Sequence, residues 1–98
     1  MVRLSWSIQA AEDLDAIASY IAINSKVYAK IQIKRIREKA HQLKHHPYLG
    51  RVVPECNDKN IRELILGNYR IIYSTNYKNK IIILTVYHSA RRLSLPAK

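Results

Sequence analysis

Two strongly apolar segments near the end of the chain carry side chains that can do acid–base or anion chemistry. Arg70 stands near the start of residues 69–75, while Tyr87 and His88 close the segment that follows. An arginine can bind a phosphate through two parallel hydrogen bonds, a histidine can transfer a proton near neutral pH, and a tyrosine can orient either. Arg70, His88 and Tyr87 are therefore predicted as a candidate catalytic set, at a site that holds a phosphate or develops charge.

The pairing of these two segments decides which aromatic side chain Arg70 meets. A turn at residues 77–78 would place Arg70 opposite Thr85 and on the same face as Tyr87. A turn one residue longer would place Arg70 on the face of His88, because side chains alternate along a strand. In either register, Arg70 and an aromatic side chain converge on one area of the sheet.

A structural role for the same residues is the alternative interpretation. Arg70 can form an ion pair with Glu63 or Glu55, which lie earlier in the chain. In that case His88 only ends its strand. The residue types alone leave both interpretations open.

Two helices are predicted in the first half of the chain. Ser7 is a suitable N-cap, and a second helix begins after a break at Asn24-Ser25 and ends at His45-His46-Pro47, since proline disfavours helical geometry in the residue before it. The first helix is indicated by apolar residues at helical spacing, namely Ala10, Leu14, Ile17, Ala18 and Ile21. Two helices joined by a short break are expected to form an antiparallel hairpin.

The remaining segments are predicted as strands and one loop. Residues 47–60 are rich in turn-forming residues and are predicted as a loop, and Gly67-Asn68 is typical of a hairpin turn. Alternating or continuous apolar residues predict strands at Val2–Trp6 and at residues 61–66, 69–75 and 81–87.

The order β-α-α-β-β-β indicates an α+β fold. The last three strands form an antiparallel meander, and the N-terminal strand pairs at one edge of it. Residues 1–98 are predicted to be a single domain, in which residues 89–98 form a basic tail.

The formal net charge of +10 predicts an anionic partner. The excess is uneven, because residues 26–46 carry seven lysines and arginines against one glutamate. Several of these cations share one side of the second helix, which indicates an interaction surface, although a solvated helix face is the alternative. The residues predicted to bind a target or partner protein are Lys30, Lys34, Arg37, Lys44, Arg62, Arg91 and Arg92.

Several other classes of function receive no support from the residues. Cys56 is the only cysteine, so no internal disulfide or paired-cysteine metal site is expected. His41 and His45 are four residues apart, but the surrounding lysines repel a cation, and neither a metal nor a cofactor is predicted. The N-terminus lacks the pattern of a signal peptide and no apolar run can cross a bilayer, so a cytoplasmic protein without a membrane partner is expected.

Four segments in this order and spacing resemble the RelE/ParE superfamily of toxins from bacterial type II toxin–antitoxin modules. They are "DLDAIASYIAINS", "HPYLGRVVPE", "IRELILGNYRIIY" and "VYHSARRL". The resemblance covers about residues 4–93 and is most like the ParE-type branch. It implies a small basic toxin that inhibits DNA gyrase by binding and is neutralised by a cognate antitoxin, acidic in its toxin-binding segment.

The same resemblance implies an alternative activity. In the RelE and YoeB branches, Arg70 matches the arginine that stabilises a phosphate, and His88 lies where YoeB-like toxins have a general acid. A protein of this kind would be an endonuclease that cleaves mRNA on the ribosome. The general base, the paired lysines and the C-terminal tyrosine of RelE have no clear match here. A non-toxic, basic nucleic-acid-binding adaptor is a third possibility.

Overall fold

Two capped helices form a hairpin that packs on one face of a five-stranded sheet. The structure, a computed structural model, describes residues 1–88. Arg91 and Arg92 lie outside the described residues. The described elements are β1 (Arg3–Trp6), α1 (Ile8–Ala22), α2 (Lys26–His41), β2 (Arg51–Val52), β3 (Ile61–Leu66), β4 (Tyr69–Tyr77) and β5 (Lys80–His88), with a 3₁₀ turn at Gln42–Lys44.

Serine side chains start both helices. The Ser7 hydroxyl accepts a hydrogen bond from the backbone N–H of Ala10, and the Ser25 hydroxyl accepts one from Tyr28. Each bond satisfies an N–H group that has no partner inside its helix. The predicted N-cap at Ser7 and the predicted break at Asn24-Ser25 are therefore confirmed. Helix α2 ends at His41, a little before the predicted stop.

The sheet has the strand order β1-β5-β4-β3-β2, which confirms the predicted α+β class. β5, β4 and β3 form the antiparallel meander, and β1 occupies one edge, as expected. β1 runs parallel to β5, so the sheet is mixed. The predicted loop 47–60 contains one further strand, because Arg51 and Val52 pair with Glu63 and Arg62 at the other edge.

The sheet buries one face against the helices and the other against a loop. The helix-side face packs Leu64, Ile71, Tyr73, Ile83 and Val86 against α1 and α2. The loop-side face packs Ile61, Ile72 and Tyr87 against Val53 from residues 47–60. A side chain on the central strands therefore lies either on the helix-side face or on the loop-side face.

Asp13 joins α1 to β5 at an irregularity in the strand pairing. Its carboxylate accepts hydrogen bonds from the Thr85 hydroxyl at 2.5 Å and from the Val86 N–H at 3.0 Å. The pairing of β4 with β5 shifts by one residue at this point, after the pair Ile72 and Thr85. Asp13 thus supplies the acceptor for a buried N–H beside the bulge.

Candidate functional site

Arg70 lies on the loop-side face, directly opposite Tyr87. The turn between β4 and β5 is at Lys78-Asn79, where Asn79 has a φ of 55°, and Tyr77 pairs with Lys80. This differs from both predicted registers, which placed Arg70 opposite Thr85 or one residue beyond. The expectation that Arg70 meets an aromatic side chain still holds, because its guanidinium carbon is 5.3 Å from the centroid of the Tyr87 ring.

His88 lies on the other face of the sheet. It is paired with Tyr69, and the two rings meet edge to face with their centroids 5.5 Å apart. Tyr69 packs into the helix-side core, and the two rings line a cavity of about 340 Å³ together with Asp13 and Tyr20 of α1. The structure therefore separates His88 from the pair formed by Arg70 and Tyr87.

The guanidinium of Arg70 is held by two carboxylates. Glu63 is fully buried, accepts hydrogen bonds from the Nε atoms of Arg70 and Arg51, and forms an ion pair with Nη2 of Arg70. Glu55 accepts from Nη1 of Arg70 at 2.8 Å and from Nη2 at 3.0 Å. The structural alternative, in which Arg70 pairs with Glu63 or Glu55, is thus what the structure shows, with both partners present at once.

These contacts set the protonation states in the cluster. The hydrogen bonds from Arg70 lower the pKa of Glu55 to about 2 from the ordinary value of 4.5. The same hydrogen bonds with Glu55 raise the pKa of Arg70 above its ordinary value. Burial raises the pKa of the Tyr87 hydroxyl, so that Tyr87 is neutral at pH 7. At pH 7 the cluster therefore holds an ionised Glu55, a charged Arg70 and a neutral Tyr87 phenol.

Arg62, which was predicted to bind a target or partner protein, makes contacts within the fold. Its Nη1 donates to the carbonyl of Gly50 at 2.8 Å, and its guanidinium carbon is 5.0 Å from the centroid of the Tyr48 ring. Tyr73 reaches the same segment, because its hydroxyl accepts a hydrogen bond from the N–H of Gly50. Arg62 therefore anchors the loop before β2 to β3.

The predicted cations of α2 do gather on one surface. A groove of about 660 Å³, the hairpin groove, runs between α1 and α2. Its apolar lining is made by Ala18, Ala22, Ala29 and Ile33, and its basic rim by Lys26, Lys30, Lys34 and Arg37. Ser19 and one acid, Glu38, also line it. Lys44 does not belong to this groove, because it lies beside the start of β1.

The end of the helical hairpin adds further apolar surface. Tyr20, Ile23 and Val27 are each at least 70% exposed. Tyr20 lies in the last turn of α1, Ile23 in the connection between the helices, and Val27 in the first turn of α2. Exposed apolar side chains of this size beside an apolar groove are typical of a protein–protein interface.

Sequence reasoning missed Arg51 and the central position of Glu63. The signal for Glu63 was an acid inside the apolar segment Ile61–Leu66, since a carboxylate at such a position needs a buried partner. Among residues 1–88, no group of three side chains of the metal-binding types lies close enough to hold a metal ion. Neither helix in that range is long and apolar enough to span a membrane.

Comparison with known proteins identifies a family. Residues 4–93 match the family described as the ParE toxin of the type II toxin–antitoxin system parDE. The chain is similar to a structure of the chromosomal ParDE system from P. aeruginosa, with 25% identity, a TM-score of 0.75, and coverage of 90% of this chain and 96% of that one.

A second similar structure shows the same fold. It is the RelBE2 toxin–antitoxin complex from Mycobacterium tuberculosis, with 19% identity, a TM-score of 0.64, and coverage of 89% of this chain and 96% of that one. A search of curated proteins found no match.

Proposed function

Because this chain belongs to the ParE toxin family of type II toxin–antitoxin systems, we propose that it inhibits DNA gyrase by binding and is neutralised by a cognate antitoxin. The structure of the P. aeruginosa ParDE system, which is similar over most of both chains, supports an antitoxin partner. Gyrase acts on bacterial DNA, so the proposed place of action is the cytoplasm.

The observation that carries the proposal is the separation of Arg70 from His88. A ribonuclease that activates a 2′-hydroxyl group needs a base, an acid and a cation around one phosphate. Here the cation binds two carboxylates on the loop-side face, and the histidine packs against Tyr69 on the helix-side face. Inhibition by binding requires no such convergence, so the geometry favours the gyrase inhibitor over the ribosome-dependent nuclease.

The hairpin groove is the surface proposed for the antitoxin. Its floor is made of small and apolar side chains, and four cations line one rim. An amphipathic segment with acidic residues beside its apolar face would be complementary to such a groove in both shape and charge. Lys30, Lys34 and Arg37 are the cations proposed to meet those acids.

Two assays on the purified protein test the proposed target. In a gyrase supercoiling assay, we expect inhibition accompanied by trapped, cleaved DNA. On ribosomes that carry a defined mRNA, we expect no cleavage of that mRNA at specific codon positions. Codon-linked mRNA cuts together with unimpaired supercoiling would overturn the proposal and favour the nuclease.

A substitution at His88 sharpens this test. His88→Gln removes the candidate acid but keeps a polar side chain of similar size, so the gyrase inhibitor is expected to retain its activity. A loss of ribosomal cleavage in His88→Gln, with cleavage present in the unmodified protein, would identify His88 as a catalytic group. Far-UV circular dichroism of both proteins checks that the sheet is unchanged.

A further inference from the structure

The cavity of about 340 Å³ beside His88 has the acidic helix α1 as one wall. Helix α1 carries Glu12, Asp13 and Asp15 but no lysine or arginine. Of these three acids, Asp13 lines the cavity, and no lysine or arginine from residues 1–88 lines it. In a protein with a formal net charge of +10, this cavity therefore presents a carboxylate without a basic rim.

The charge of Asp13 has no cationic partner within the described part of the chain. The ion pairs of residues 1–88 all belong to the cluster around Arg70, and none of them includes Asp13. Asp13 is half-buried, and burial of an unpaired charge is unfavourable because the charge loses hydration. A cation bound in the cavity would supply the missing partner.

The carboxylate of Asp13 is also held in one position. Its Oδ2 atom accepts the hydrogen bonds from Thr85 and Val86, and its Oδ1 atom accepts one from Nε2 of Gln9 at 2.8 Å. Each carboxylate oxygen has about two acceptor positions, so Oδ1 can accept a further hydrogen bond. A ligand in the cavity would therefore meet an acceptor that is already fixed, which lowers the entropic cost of binding.

Tyrosine rings form further walls of the cavity. Tyr20 comes from α1 and is exposed to solvent, while Tyr69 comes from β4 and is half-buried. The face of a tyrosine ring carries partial negative charge and attracts alkylammonium and guanidinium groups. The combination of rings with one carboxylate thus favours an organic cation over a neutral molecule of the same size.

A metal ion is a poorer match for this cavity. A metal is usually held by three or four protein ligands, and no three suitable side chains within residues 1–88 lie close enough together. The volume of about 340 Å³ also leaves room for a group of several heavy atoms beside the carboxylate.

We propose that this cavity binds an organic cation, an alkylammonium or guanidinium group, whose charge pairs with Asp13 and whose alkyl chain contacts Ile17 and the rings of Tyr20 and Tyr69. Such a group occurs in a free amine and in the lysine or arginine side chain of another protein. The cavity shares no lining residue with the hairpin groove. The inference therefore does not depend on the proposed antitoxin site or on whether gyrase is the target.

The test follows the backbone N–H signal of Val86 by NMR, because this group donates to Asp13. The protein is titrated at pH 7 and constant ionic strength with n-butylguanidinium chloride and, separately, with n-butanol, which has the same alkyl chain without the charge. We expect the guanidinium to bind at least about tenfold more tightly than the alcohol, because hydrogen bonds between charged groups are strong. Equal affinities for the two probes would overturn the proposal.

Substitution of Asp13 tests the role of its charge. Asp13→Asn keeps an oxygen that can accept from Val86, and its affinity for n-butylguanidinium is expected to fall about tenfold. Asp15→Asn is the matched control, since it makes the same change on the same helix at an exposed position outside the cavity lining. An equal loss of affinity in the two variants would indicate a response to net charge alone and would overturn the proposal.

Substitution of Tyr20 tests the site without disturbing the hydrogen bonds of Asp13. Tyr20 is exposed, so Tyr20→Leu removes a ring from the cavity and leaves the core intact, and we expect n-butylguanidinium to bind about threefold more weakly. Tyr20→Phe is the matched control, because it retains the ring and should retain the affinity. Equal affinities of these two variants would overturn the proposal, even if Asp13→Asn did not fold.

A further titration identifies the source of the cation. The probe is a short peptide with one arginine between glycines. If this peptide moves the Val86 signal to saturation, the cavity accepts an arginine side chain of another protein. If only n-butylguanidinium does so, the cavity accepts a free small cation. Both results support the site, and they differ only in the size of the ligand that reaches it.

Discussion

Arg70 and Tyr87 lie directly opposite each other on β4 and β5, with the guanidinium carbon 5.3 Å from the ring centroid. This distance is within the range of a cation–π interaction. The ring covers one side of the guanidinium while Glu63 and Glu55 bind its N–H groups. The arginine is thereby fixed in position on the loop-side face.

Replacement of Glu63 is expected to destabilise the fold strongly. Glu63→Gln removes a fully buried charge that pairs with both Arg51 and Arg70, and breaking a buried pair in this way costs about 3 kcal/mol. Urea denaturation, monitored by circular dichroism, measures the change. Glu55→Gln is the matched control at an exposed position, for which a loss below about 1 kcal/mol is expected. Equal losses in the two variants would contradict the prediction.

The Glu55 carboxyl is expected to titrate at an unusually low pH. Its pKa is lowered from 4.5 to about 2 by the hydrogen bonds from Arg70. A lowered pKa contributes stability above pH 4.5, and this contribution is lost as the pH falls toward 2. Between those pH values, the unmodified protein should therefore lose more stability than Glu55→Ala does.

Denaturation curves at several pH values between 2 and 6 test this difference, and the side-chain carboxyl ¹³C shift of Glu55 gives the titration directly. A titration midpoint of the Glu55 carboxyl near pH 4.5 would show that the contact with Arg70 is absent in solution.

The two glycines are expected to respond very differently to alanine. A methyl group at Gly50 would lie 2.3 Å from the carbonyl oxygen of Glu63 and 2.8 Å from the hydroxyl of Tyr73. Both neighbours are buried, so we expect Gly50→Ala to cost at least about 2 kcal/mol. Gly67 has a φ of +57° but no atom within 4 Å of such a methyl group.

Gly67→Ala is therefore the control for Gly50→Ala, with an expected cost of about 1 kcal/mol that comes from backbone conformation alone. Thermal unfolding of both variants provides the comparison. A smaller effect at Gly50 than at Gly67 would mean that the loop before β2 moves away from β3 easily.

Charge reversal at the rim of the hairpin groove is expected to slow association with an acidic antitoxin segment. Lys30→Glu/Lys34→Glu changes two exposed cations on this rim, so the rate of association should fall and depend less steeply on salt. Arg37 is left unchanged because it also stacks on Trp6, 5.9 Å from the ring centroid.

Lys59→Glu/Lys78→Glu is the control for the groove variant, with the same change of charge at exposed positions away from the helices. Stopped-flow or surface-binding kinetics at two salt concentrations distinguish an effect of the groove from an effect of net charge. Equal rates for the two double variants would show that the attraction depends on overall charge and not on the groove.

The local features of the fold were predictable from the sequence. Ser7 and Ser25 have side chains that cap a helix, and Gly67 permits the backbone of a hairpin turn, so these positions specify their own structure. β2 was missed because a strand of two residues has no periodic pattern. Its pairing depends on β3, which is distant in the chain.

The arrangement of the site was harder to predict, because it depends on strand register. A one-residue change in register reverses the face on which a side chain lies. The turn at Lys78-Asn79 lies one residue later than the shorter of the two predicted turns. This moves the partner of Arg70 by two residues, from Thr85 to Tyr87, and leaves Arg70 on the face of Tyr87, as the shorter turn predicted. The convergence of Arg51, Glu63 and Glu55 on Arg70 likewise depends on the path of residues 47–60, which no local pattern specifies.

The pairing of β1 with β5 has a consequence for the protein during its synthesis. These neighbouring strands lie at opposite ends of the described chain, and Ser7 also bonds to the carbonyl of Leu84. A nascent chain that ends before β5 therefore lacks the strand that β1 joins, and the apolar face that packs against its two helices lacks Ile83 and Val86. The five-stranded sheet can therefore close at the β1 edge only after β5 has been synthesised.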